Sequence, residues 1–120
     1  MSDSIEAKHA AMVTIMAKPG AALLASVTAE DLALWHAATG LAGEVGELTD
    51  AVKKSVVYRK PFDLENAIEE LGDIEFYLAE FRRLIGVSRG AVLQYNMNKL
   101  ERRYPQGYTD QAAQARADKV

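Results

Sequence analysis

Four carboxylates with helical spacing are the side chains best able to do chemistry in this sequence. Glu44 and Glu47 are three positions apart, and Glu70 and Asp73 repeat that spacing. On a helix, residues three apart emerge as neighbours on one face, and their like charges cost roughly 0.2–0.5 kcal/mol per pair. A hard divalent cation such as Mg²⁺ reverses that cost. One such pair is typical of a solvated helix face, whereas two pairs beside apolar seams favour a metal site.

Three glycines interrupt the helix around the first acidic pair: Gly40, Gly43 and Gly46. Each is expected to cost about 1 kcal/mol relative to alanine inside a helix. Retaining all three indicates that a neighbouring helix or a ligand approaches this surface closely.

Basic and amide side chains accompany the acids at spacings that suit a polyphosphate. Lys54 lies two helical turns after Glu47 on the same face, and Lys53 lies beside it. Three further residues share one face of a later helix: Asn96, Lys99 and Arg103. These types bind phosphate oxygens, although a solvated basic helix end is the alternative.

Two aromatic residues lie near the acids in the helical register. His36 falls on the face of Gly40 and Glu44, and Tyr77 lies one turn beyond Asp73. Either ring can line a pocket for a base or simply pack between helices.

Prolines and caps divide the chain into helices. The prolines at 19, 61 and 105 are expected to stop them. A first helix is expected over about Ile5–Ala17, whereas the small apolar stretch Gly20–Val27 admits either a loop or a short helix. Thr28 with Asp31 forms a capping-box-like start for a second helix running to about Val57. Its apolar residues recur at spacings of four and three: Leu34, Ala38, Leu41, Val45, Leu48 and Val52.

Two more helices follow. A third is expected from the N-cap Asp63 to Gly86, and a fourth from Ser88 to the turn at Pro105. The tail from Asp110 is either helical or frayed. The pattern predicts an all-α fold, a four-helix-type bundle in which antiparallel second and third helices bring the acids together.

The composition fits one globular domain over residues 1–120. Of the 120 residues 49% are hydrophobic, and the net charge of -3 gives no reason to expect a nucleic-acid partner. No apolar run approaches the ~20 residues of a membrane span, and the start does not resemble a signal peptide. The absence of cysteine excludes disulfides and thiolate metal sites. We therefore expect a cytoplasmic protein.

Three motifs in order resemble the MazG-like all-α nucleoside triphosphate pyrophosphohydrolases, relatives of dCTP and dUTP pyrophosphatases. They are G-E-V-G-E at 43–47, E-L-G-D at 70–73 and K-L-E-R-R-Y-P at 99–105. The resemblance covers about His36–Gly107, within a core of about residues 30–107.

The resemblance implies an oligomeric bundle, a homodimer or homotetramer, that hydrolyses (deoxy)nucleoside triphosphates to a monophosphate and pyrophosphate in nucleotide-pool housecleaning or adjustment. Mg²⁺, with Mn²⁺ as an alternative, would bind Glu44, Glu47, Glu70 and Asp73. Glu47, with Glu44, is the candidate to orient or deprotonate the attacking water. The implied phosphate contacts are Lys53, Lys54, Asn96, Lys99 and Arg103, and the implied base contacts are His36 and Tyr77. Some members carry a further glutamate where this chain has Gly43, so the number of metal ions stays open.

Two other interpretations compete with this one. A di-iron carboxylate bundle requires two E-x-x-H motifs, but the sequence has one, Glu6 with His9, and His36 follows no glutamate at that spacing. A regulatory or oligomerisation module of the same fold would bind nucleotide without turnover. The preferred base is not determined by the sequence.

Overall fold

The computed structural model describes residues 4–119, and their regular structure is entirely helical. The expected all-α class is confirmed. The chain forms two compact units whose boundary lies within the third helix. The first unit ends at Leu32 and the second begins at Ala33. The α-helices are α1 Ile5–Met16, α2 Gly20–Ser26, α3 Ala29–Val56, α4 Leu64–Ile85, α5 Arg89–Arg103 and α6 Asp110–Ala115, followed by a 3₁₀ turn, Ala117–Lys119.

The first unit contains α1, α2 and the first turn of α3. The stretch from Gly20, which the sequence left undecided, is a short helix after Pro19. The capping box at α3 is present: the Thr28 amide donates to Asp31 Oδ2 at 2.9 Å, and the Asp31 amide donates to Thr28 Oγ1 at 3.1 Å. This reciprocal pair satisfies donors that the first turn of a helix leaves free.

In the second unit α3 and α4 lie side by side and antiparallel. Glu44 of α3 lies near Asp73 of α4, and Gly40, one turn earlier, contacts Tyr77, one turn later. The ends of α4 are as predicted: Asp63 accepts a hydrogen bond from the Asn66 amide at 3.0 Å. Gly86 ends the helix in the left-handed conformation (φ 70°) that glycine adopts without steric cost.

The end of the chain folds back onto α5. After the turn at Pro105–Gly107, Thr109 caps α6, and both α6 and the 3₁₀ turn pack against α5. We call residues 109–119 the C-terminal segment. The tail that the sequence left as helical or frayed is therefore helical over most of its described length.

The predicted apolar seams are only partly covered in one chain. Among the described residues, the buried apolar side chains are three alanines: Ala37, Ala51 and Ala67. Seam residues such as Val45 (46% exposed) and Leu71 (51% exposed) remain open to solvent. These small buried side chains enclose little apolar area, so the four-helix bundle stays a prediction.

Among residues 4–119, none of the helices combines the length and apolar character that a membrane span needs.

Candidate active site

Three of the four predicted metal ligands meet between α3 and α4. Glu44, Glu70 and Asp73 each offer a carboxylate oxygen, and these three oxygens lie within 4.8 Å of one another. Glu44 and Glu70 are half-buried, and Asp73 is exposed. The cluster follows from the sequence spacing, since Glu44 of α3 and the pair Glu70 and Asp73 of α4 lie where the two helices face each other.

Glu70 is the least satisfied member of this cluster. Its Oε2 atom is buried and has no hydrogen-bond partner among residues 4–119. Burial raises the pKa of Glu70, and the adjacent Glu44 carboxyl raises it further, both by favouring the protonated form as a donor and by repelling the ionised form. The charges of Glu47 and Asp73 act in the same direction. A buried oxygen without a donor, next to like charges, is an arrangement that a cation stabilises.

Glu47, the fourth predicted ligand, lies outside this group of three. Its side chain is exposed on α3, one turn after Glu44, and it is close enough for its charge to raise the pKa of Glu70. Glu47 therefore borders the cluster on its solvent side.

A close contact between Gly40 and Tyr77 lies one turn from the acids. A methyl group added at Gly40 would overlap the Tyr77 ring, with Cδ1 at 2.8 Å and two further ring carbons closer still. The sequence predicted a close approach at this glycine, and the structure confirms it. In the part of the chain that the structure describes, no atom beyond the adjoining residues and helix backbone lies within 4 Å of the corresponding point at Gly43 or Gly46.

Aromatic side chains continue from this contact. The Tyr77 ring lies 6.3 Å from the His36 ring and 5.2 Å from that of Phe76, the latter edge to face. His36 also acts electrostatically on Glu80, whose pKa is lowered mainly by its two hydrogen bonds from Arg83. The two predicted base contacts therefore lie together, on one side of the acidic cluster.

Similarity to known proteins agrees with this geometry. A family model described as the MazG nucleotide pyrophosphohydrolase domain matches residues 36–108, more than half of the chain. The chain belongs to this MazG family. It is also similar to the Gene 37 protein of Mycobacterium phage L5, with 35% identity over 80 residues, 62% of this chain and 68% of that protein. No solved structure matches it.

All predicted site residues fall within the MazG region, and those at the end of α3 lie on the other side of the acids. Lys54 Nζ is 3.0 Å from Asp50 Oδ2, which raises the pKa of Lys54, with smaller contributions from Glu47 and Asp63. This pair is exposed and can exchange partners at little cost. The Lys53 ammonium lies 5.6 Å from the centre of the Tyr58 ring.

The predicted phosphate contacts on α5 lie in two different environments. Asn96 and Lys99 line a shallow apolar groove of about 380 Å³ on α5. Arg103 instead holds Asp118 of the C-terminal segment in an ion pair of 2.7 Å. A shared helical face was predicted for these three residues, but the pairing of Arg103 was not.

Asp118 could not be identified from the sequence. It lies in a polar, alanine-rich tail, 15 residues from its partner, and no local pattern links the two. Only the packing of the C-terminal segment on α5 brings them together.

Proposed function

We propose that this chain hydrolyses nucleoside triphosphates between the α and β phosphates, releasing a nucleoside monophosphate and pyrophosphate. The observation that carries the proposal is the cluster of Glu44, Glu70 and Asp73 inside the MazG region, with a buried Glu70 oxygen that has no partner. An acidic cluster of this kind is unfavourable alone and becomes favourable with a cation.

The donor set fits a hard divalent cation. Carboxylate oxygens are the protein ligands that Mg²⁺ and Mn²⁺ prefer, and the described residues place three within a small volume. Glu44, Glu70 and Asp73 would hold the ion, with Glu47 at the border. When bound, the ion would neutralise phosphate charge and lower the pKa of a coordinated water.

The side chains of the chain itself supply positioning and proton transfer. The exposed Glu47 carboxylate is suited to accept a proton from the attacking water, because it borders the cluster without being enclosed by it. Phosphoryl transfer depends mainly on alignment and charge neutralisation, so few other groups are needed.

The order of residues along α3 and α4 would give the substrate a direction. Tyr77 and His36 lie on one side of the acids, and Lys54 lies on the other. The base would stack near Tyr77, and the phosphates would extend across the acids toward the lysine. Lys53, Asn96, Lys99 and Arg103 are the further proposed phosphate contacts.

Self-association into two or four copies is part of the proposal. Apolar side chains on α3 and α4 stay open in one chain, and patches of this kind mark interfaces. A second copy would cover these seams.

The test is a pyrophosphate-release assay against all common ribo- and deoxyribonucleoside triphosphates, with Mg²⁺ and with EDTA. Mg²⁺-dependent release of equimolar pyrophosphate and monophosphate is the expected result. Release of orthophosphate instead would contradict the proposed bond. Binding of triphosphates without any release would favour a nucleotide-binding module that lacks turnover.

A further inference from the structure

The most enclosed ion pair of the described residues joins the C-terminal segment to the MazG region. Arg103 Nε donates to Asp118 Oδ1 at 2.7 Å, and Arg103 Nη2 donates to Asp118 Oδ2 at 3.1 Å. The Asp118 side chain is only 1% exposed, and that of Arg103 is 18% exposed. The other ion pairs, Lys54 with Asp50 and Arg83 with Glu80, lie within single helices and are more open.

The two partners come from different parts of the chain. Arg103 is the last residue of α5 and lies inside the matched region 36–108, whereas Asp118 lies ten residues beyond it. The carboxylate reaches the arginine because α6 and the 3₁₀ turn pack against α5. The C-terminal segment therefore supplies a contact to a family residue from outside the family match.

The Asp118 carboxylate uses one edge of the Arg103 guanidinium. A guanidinium has five N–H donors, of which the Asp118 carboxylate takes two, on Nε and Nη2. Of the other three, one on Nη1 and one on Nη2 point from the end of the group, and the second on Nη1 points toward the Cδ side. Tyr104 is a further neighbour of this guanidinium, with its ring centre 6.0 Å from Cζ. Both Asp118 oxygens are engaged, so the plane of the guanidinium is fixed. Arg103 lowers the pKa of Asp118, which keeps the carboxylate ionised at neutral pH.

We propose that Asp118 is a positioning residue for triphosphate binding, because it fixes the Arg103 guanidinium through Nε and Nη2 and so sets the orientation in which the Nη1–Nη2 end meets a phosphate. This inference rests on the proposed function, in which Arg103 contacts the substrate. Its physical basis is preorganisation: a side chain already held in its binding orientation loses less entropy when the ligand arrives.

The experiment is steady-state kinetics with Mg²⁺ and the best triphosphate of the panel. The variants are Asp118→Asn, Arg103→Gln and the double variant. The control is Asp110→Asn, since Asp110 lies in the same segment but is exposed and accepts only from Tyr108 Oη at 2.8 Å. We expect Asp118→Asn to raise KM about tenfold or more, with kcat changed less than about twofold, as for loss of a residue supporting a ligand.

The double variant separates positioning from general stabilisation. If Asp118 acts through Arg103, Asp118→Asn should add little to the rise in KM caused by Arg103→Gln. Additive effects of the two substitutions would overturn the proposal. So would a KM for Asp118→Asn equal to that of the wild type, or below it, since a lower KM would mean that Asp118 competes with phosphate.

Two further measurements show whether each variant is folded and whether the wild type is active. Circular dichroism establishes which variants are folded. If Asp118→Asn is not, Asp118→Glu retains the charge while displacing the guanidinium, and its KM should also rise; an unchanged KM there would contradict positioning. Absence of pyrophosphate release by the wild type would refute the proposed function itself, an outcome distinct from an active wild type with an unaffected Asp118→Asn variant.

Discussion

At the residue scale, the chemistry centres on Glu70. Burial and the nearby carboxylates raise the pKa of Glu70 and favour its neutral form. A bound cation would act in the opposite sense and favour the ionised form. A folded-state pKa above the unfolded value means that ionised Glu70 opposes folding as pH rises through that window. Without a cation, the negative charge of Glu70 lowers the stability of the folded protein at neutral pH.

Glu70→Gln should therefore have opposite effects on stability and activity. We expect a higher thermal midpoint for the metal-free protein at pH 7, loss of the midpoint increase on adding Mg²⁺, and a fall in kcat/KM on the order of a hundredfold or more. Thermal melts with Mg²⁺ or EDTA and the pyrophosphate assay measure these effects. The control is Glu69→Gln, an exposed neighbour on the same helix. An equal response of both variants would contradict a role for the Glu70 cluster.

A second prediction at this scale compares two glycines of α3. Gly40→Ala gains about 1 kcal/mol in helix propensity but overlaps the Tyr77 ring, and overpacking costs about 1–3 kcal/mol. Gly43→Ala gains the same propensity with nothing within 4 Å. Urea denaturation should show Gly43→Ala to be more stable than the wild type and Gly40→Ala to be equal or less stable. A destabilised Gly43→Ala would instead mean that another chain packs there.

The same residues show what the sequence could predict about the site. Helical spacing was enough to bring Glu44, Glu70 and Asp73 together, because two amphipathic helices that pack antiparallel must align their inner faces. Spacing also identified the glycines as costly, but it could not tell that only Gly40 has a close neighbour. That depends on where one tyrosine ring lies, which no periodicity encodes.

At the element scale, local signals located the long helices and left the short ones undecided. Capping interactions at Thr28, Asp63 and Ser88 begin α3, α4 and α5 as predicted, since each cap is a contact within four residues. The stretch Gly20–Ser26 was ambiguous because Ser26 is its one polar side chain, which is too few to show a periodicity. The C-terminal segment was ambiguous because its partner, α5, is remote in sequence.

The attachment of this segment should depend on pH. Arg103 lowers the pKa of Asp118 below its ordinary value of 3.8, so the pair contributes stability above that value and loses it as the pH falls through the lower, folded-state pKa. Melting wild type and Asp118→Asn from pH 7 to 2.5 should show a higher midpoint for the wild type at pH 7. The difference should shrink below about pH 4. A difference that stays constant to pH 2.5 would show that the ion pair does not hold the segment.

At the scale of the whole molecule, the apolar residues exceed what one chain covers. The predicted seams of α3 and α4 are present, yet the buried apolar residues of the described chain are alanines. A pattern in sequence specifies which face of a helix avoids water, but it does not specify whether the same chain or another copy covers that face. This is why the helices are seen in one chain while the bundle stays a prediction.

Self-association provides the last prediction. Analytical ultracentrifugation at micromolar concentration should give a mass of two or four copies. Val52→Glu, which places a charge on a seam residue 43% exposed in one chain, should shift the mass toward one copy, because a buried unpaired carboxylate is costly. Thr39→Glu adds the same charge at an exposed polar position of α3 and should leave the mass unchanged. A wild type that sediments as a single chain, or equal masses for the wild type and Val52→Glu, would place the interface elsewhere or exclude it.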